Sequence, residues 1–186
     1  MSQSPSHPPY TSDEARARET FLALMWASSY PGRIYTLPDV HAFVVIGEAL
    51  LDLETSYYTN DDQLAPLLAR NGARRQSPER AAYHFYPTLT DADLPAISAA
   101  AVGEMLYPDR SATLIIGCSF DTDARFSLSG AGVNGTTAIQ VGALSADFWE
   151  LRESRRRYPL GWDIFLIDGA RVLALPRSTT MIRENA

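Results

Sequence analysis

The sequence predicts an α/β domain built on a mixed sheet, and three features carry that prediction. Apolar runs such as TLIIG and IFLI are short and nearly continuous, as strands covered on both faces are. Segments with helix-start and helix-stop signals are interspersed among them, so helices and strands mix along the chain. At 186 residues, with no repeat or interdomain linker in view, the chain is of single-domain size. We expect a disordered tail over residues 1–12, because its first ten positions are rich in Ser and Pro, and one domain over residues 13–186.

The elements follow in order. Thr11 and Glu14 have capping-box spacing and open a helix whose apolar face reads Ala17, Phe21, Leu24, Met25 and Ser28. Pro31-Gly32 stops it, and RIYTL is a short strand. Asp39 is placed to cap an apolar helix running through Leu51. LETSYYT reads as a strand, DDQLAPLLARNG as a short helix ending at Asn71-Gly72, AAYHFY as a strand and LPAISAAAVGEML as a helix. SATLIIGCSF and ARFSLSG read as neighbouring strands separated by the turn DTDA, and TTAIQVGAL as another. Ser145 caps ADFWELRESRRR, which Pro159 ends. IFLID and RVLAL then form a hairpin that turns at Gly169-Ala170 or at Asp168-Gly169.

Composition narrows the chemistry. A formal charge of −6 and a pI near 5.0 argue against generic nucleic-acid binding. No run approaches the roughly 20 apolar residues of a membrane span, and the N-terminus lacks a secretory h-region. The lone Cys118, inside an apolar run, reads as a reduced buried thiol, which points to the cytoplasm. All 16 basic side chains are arginine, so a Schiff-base lysine and a phosphate-loop lysine are both excluded.

Several motifs invite chemistry. Gly130-Ala-Gly-Val-Asn-Gly135 matches G-x-G-x-x-G, which would make the chain a stand-alone nucleotide-binding enzyme. The strand-forming TTAIQV follows where a dinucleotide site needs a helix, so a glycine-rich turn is the better reading. His7, His41 and His84 have no metal-ligand spacing, Ser111, Ser119 and Ser127 lack a nucleophile elbow, and no cofactor or metal is expected. Arg152, Arg155, Arg156 and Arg157 suit the exposed, electronegative end of a helix, with contact to a partner protein or an anionic ligand as the less favoured reading. Arg74, Arg75 and Arg80 read as a solvated loop patch. At the hairpin mouth, counting outward from Gly169-Ala170 sets Asp163 opposite Pro176, one step from Arg177. Two readings stand there: an ion pair that closes the hairpin, or an anion or partner surface formed by Asp163, Arg177, Ser178, Thr179 and Thr180.

Four segments read together resemble the H subunit family of the bacterial carbon–phosphorus lyase system: ETFLALMWASSYPG, ALLDLETSYY, SATLIIG with LSGAGV, and YPLGWDIFLIDGARVLALPRSTT. Ser178 stands where that family usually has Thr, which keeps a hydroxyl. The resemblance implies a three-layer α/β/α fold similar to pyridoxal-phosphate-dependent transferases, without the cofactor. It also implies homodimers in isolation, G, I and J subunits as partners, and a cytoplasmic core complex. The implied role is that of a required but non-catalytic subunit. It would support formation of ribose 1-methylphosphonate 5-triphosphate from ATP and a phosphonate.

Overall fold

In the computed structural model, which describes residues 11–122 and 124–184, the apolar runs lie side by side in one seven-stranded mixed sheet. Its members are β1 (Tyr35–Thr36), β2 (Ser56–Thr59), β3 (Arg74–Arg75), β4 (Tyr83–Tyr86), β7 (Thr113–Gly117), β10 (Asp163–Asp168) and β11 (Arg171–Leu175), in the order β1-β11-β10-β7-β4-β2-β3. From β10 to β3 neighbouring strands run parallel, whereas β11 returns antiparallel to both β10 and β1. The α/β class and the mixed sheet are therefore as the sequence indicates.

Near-continuous apolarity has a direct consequence in β10. Ile164 and Leu166 enter one core and Phe165 and Ile167 the other, so a single run seals both faces. The Phe165 face is covered by α1 (Ser12–Ser29), α2 (Ala42–Leu50) and α3 (Ala65–Leu68). The opposite face meets α4 (Leu94–Ala99), α5 (Ala146–Arg155) and a second, three-stranded sheet. That sheet pairs β8 (Arg125–Gly130) with β9 (Thr137–Gln140) on one side and β12 (Thr179–Arg183) on the other. A two-stranded hairpin, β5 (Val102–Glu104) and β6 (Tyr107–Ser111), stands apart from both sheets.

Five local expectations are corrected. The capping box forms, with the Glu14 amide donating to Thr11 Oγ1 and the Thr11 amide donating to Glu14, but the inward face of α1 is Thr20, Ala23, Leu24 and Ala27. Small residues let α1 sit close to α2 and β11, while Phe21 and Met25 face out. Asp39 does not cap α2 directly. It accepts from the backbone amide and ring nitrogen of His41, the N-cap residue. The helix expected over 94–106 stops at Ala99, and β5 and β6 follow because Gly103, at φ +82°, has its would-be Cβ 2.8 Å from Pro108 O. The strands SATLIIGCSF and ARFSLSG are not partners, since β7 joins the large sheet and β8 the small one. Arg74 and Arg75, assigned to a loop, form the edge strand β3. Residues 1–10 of the expected tail, His7 among them, and Asp123 of the DTDA turn lie outside the described residues, and α1 already begins at Ser12.

Candidate functional site

The terminal hairpin forms with Asp168 opposite Arg171 and Ile164 opposite Leu175, which makes Gly169-Ala170 the turn. That register brings Asp163 to the mouth of the hairpin beside Pro176 and Arg177. Thr179 N donates to Pro176 O at 2.9 Å and closes a four-residue turn, with Arg177 and Ser178 at its centre. Thr179 and Thr180 are not a polar exit. They open β12 and pair with Gly130 and Ser129.

Asp163 and Arg177 meet as an oriented pair. Arg177 Nε donates to both carboxylate oxygens at 3.3 and 3.2 Å, Nη2 donates to Oδ2 at 2.5 Å, and the Arg177 backbone amide donates to Oδ1 at 2.9 Å. The remaining nitrogen, Nη1, donates to Pro108 O on β6 and lies 3.5 Å from Pro159 O. All three guanidinium nitrogens are thus held by acceptors of the same chain. With only 17% of its side chain exposed, Arg177 ties β10, the turn before β12, the loop before β10 and the β5–β6 hairpin together. The five candidate residues do converge. Asp163 and Arg177 form the clamp, Ser178 presents its carbonyl to Gly130, Thr179 is buried and Thr180 lies half-buried on β12.

The burial of one residue at this corner escaped the sequence reading. Arg152, grouped with the exposed arginines, is 3% exposed and donates through Nη2 to Thr179 O at 3.0 Å and Pro176 O at 3.4 Å, supporting the turn from beneath. Burial lowers its pKa to about 10, so it remains a cation at neutral pH. Spacing held the clue: Arg152 is four residues after the buried Phe148 and so shares its helix face. Arg155 instead reaches Ser98 Oγ at 2.6 Å, and Arg156 pairs with Glu153.

The glycine-rich segment serves the same corner. Gly130 ends β8 and β9 begins at Thr137, with no helix between them. A Cβ at Gly130 would lie 2.5 Å from Ser178 O, and one at Gly132 would lie 2.5 Å from Ser29 O. Gly130 and Gly132 admit neighbouring backbone, and the helix that a pyrophosphate site needs does not follow. Gly132, at φ +79°, is accordingly expected to lose about 1–3 kcal/mol on replacement by Ala. Gly135, at φ +70° with nothing within 4 Å, should lose about 1 kcal/mol. Urea unfolding of the two variants checks the difference.

Of the histidines, His84 on β4 is fully buried against Tyr58 and Tyr86, and His41 holds the N-cap position of α2 at the surface without a side-chain capping bond. Cys118 is half-buried at the end of β7, where burial pushes its thiol up to about 12 and keeps it protonated. Among the described residues no helix is long and apolar enough to cross a membrane.

The sequence matches, over residues 8–182, the family model described as bacterial phosphonate metabolism protein (PhnH). The chain belongs to that family. Among curated relatives it is 29% identical over 174 residues to the putative C-P lyase subunit protein HtxG of Stutzerimonas stutzeri, covering 88% of this chain and 85% of that one. It is 28% identical over 186 residues to the alpha-D-ribose 1-methylphosphonate 5-triphosphate synthase subunit PhnH of Rhizobium meliloti (strain 1021), covering 90% and 91% respectively. The segment carrying the Asp163–Arg177 clamp falls inside the family match, as do β8 and all of β12 but its last residue.

Proposed function

We propose that this chain is a required, non-catalytic subunit of a carbon–phosphorus lyase core complex in phosphonate breakdown. There it supports formation of ribose 1-methylphosphonate 5-triphosphate from ATP and a phosphonate. The observation that carries this reading is a family match spanning residues 8–182, joined to relatives whose names are subunit names. The site supports it through shape. With its nitrogens already engaged, Arg177 acts as a clamp that holds β6 at Pro108, two residues from the tip of the β5–β6 hairpin. The tip of that hairpin exposes Met105 and Leu106. In this reading Asp163, Arg177, Ser178, Thr179 and Thr180 support a partner surface, and binding an anion there would require displacing a contact the chain already makes.

The finer parts of the proposal are G, I and J subunits as partners, a homodimer in isolation and a cytoplasmic location. The fold is read as the three-layer arrangement of pyridoxal-phosphate-dependent transferases, without the cofactor. A sheet with both faces buried supports the last of these. Co-expression of this chain, tagged, with the G, I and J subunits of its host should yield one co-purifying assembly that converts ATP and a phosphonate. A complete, active assembly obtained without this chain defeats the proposal.

A further inference from the structure

Behind the turn that carries Arg177, three arginines share two carboxylates. Asp163 is claimed by Arg177, and Glu153 by Arg156 through both of its oxygens. Arg152 is left with two carbonyls on Nη2 and a distant Glu153 oxygen, 3.8 Å from Nη1. Its Nε is buried with no partner, as is Oγ1 of Thr179, the residue whose carbonyl it holds. The most buried cation of the group is therefore the one whose nearest carboxylate is most distant and whose Nε has no partner. A buried charge without a counter-charge is unfavourable, and guanidinium geometry is matched best by a carboxylate or another forked oxyanion.

Arg152 also lines a cavity of about 290 Å³ between α5 and the small sheet. Phe126, Trp149 and Met181 make its apolar walls, with the Phe126 and Trp149 rings 5.1 Å apart and tilted by 51°. Glu150, Glu153 and Arg183 line it too; Glu153 is held by Arg156, and the exposed Glu150 and Arg183 are opposite in charge, so the entrance has no dominant sign. An apolar chamber with one desolvated cation is built for a ligand with an apolar body and one anionic end.

We propose that this cavity binds a small organic carboxylate, with its ring or chain against Phe126, Trp149 and Met181 and its carboxylate on the Arg152 guanidinium. Such a ligand would supply a carboxylate at hydrogen-bonding distance and stiffen the turn that bears Arg177. The proposal stands independently of the complex the chain belongs to.

Titration of the full chain with 3-phenylpropionate should show saturable binding by calorimetry, a raised melting temperature and a change in tryptophan fluorescence that Trp149→Phe removes. The neutral 3-phenylpropionamide should bind about tenfold or more weakly, because it cannot satisfy the cation. Arg152→Met should erase that preference for the acid. Ala146→Phe, which fills the cavity from its exposed rim without touching Arg152, should abolish binding and leave the melting temperature of the free chain unchanged; it decides the matter if Arg152→Met fails to fold. Equal binding of acid and amide, inorganic phosphate binding as tightly as the carboxylate, binding that survives Ala146→Phe, or no saturable binding would each overturn the proposal.

Discussion

Replacing Arg177 with alanine is expected to lower the unfolding free energy by about 3 kcal/mol, a large share of the stability of an ordinary domain. The substitution strips the Asp163 carboxylate of its charge partner, and it frees the β6 carbonyl of Pro108 from its donor. Removing one member of a partly buried, multiply hydrogen-bonded pair costs more than an exposed ion pair contributes, because the Pro108 carbonyl and part of the carboxylate are left without their donor. Arg177→Lys should recover only part of the loss, since a point charge cannot hold a carboxylate and two carbonyls in a fork. Chemical denaturation of the three proteins reads this directly. A loss below about 0.5 kcal/mol for Arg177→Ala would return the residue to the role of an idle surface cation. The same variant should weaken co-purification with the partner subunits, because the β5–β6 hairpin loses its tie at Pro108, close to the exposed tip.

Acidification supplies the second large effect. Burial pushes the His84 pKa down to about 4, opposed in part by the main chain at Ala81 and Pro78 and by Glu79. An unfolded chain takes up that proton near pH 6.5, so the unfolded state binds more protons throughout the interval from 6.5 to 4. The contribution of neutral His84 is complete above pH 6.5 and is lost as pH falls through the interval. By linkage the loss reaches about 2 kcal/mol at pH 5 and about 3 kcal/mol at pH 4. Urea midpoints at pH 7 and pH 5 should differ accordingly, and His84→Leu should flatten the slope. An unchanged slope in that variant would mean that other groups govern the acid limb.

Much of this molecule is legible in its sequence where short-range chemistry decides. The Thr11 capping box, the Ser145 cap and the Gly169-Ala170 turn all depend on a few adjacent residues, and all three form. The hairpin register then fixes Asp163 beside Arg177 by counting alone. Legibility fails where partners are distant in sequence. Nothing local tells β7 to join a parallel sheet while β8, a few residues later, pairs with β12 about fifty positions on. The alanine-rich stretch after Leu94 has helical propensity, but Gly103 and the close approach of Pro108 override it. Arg152 was misplaced for a related reason: residue type says surface, and only the company of Phe148 on the same helix face says otherwise. The large exposed side chains of α1 follow the same logic, since tight packing of Ala23 and Ala27 left no room for them inside.

The pairing of β12 with β8 also sets the order in which the molecule can be completed. Phe126 and Leu128 belong to the core opposite the main helical layer, yet one flank of their strand stays an open edge until residues 179–183 arrive. During synthesis, then, the β8–β9 hairpin must wait, with unpaired amides and carbonyls along β8, through the whole of α5 and the β10–β11 hairpin. A long-range closure of this kind slows folding, and an uncapped edge invites pairing with another chain. Loss of the last strand by proteolysis or premature termination should therefore appear first as aggregation of the truncated chain, before any question of its assembly with partners arises.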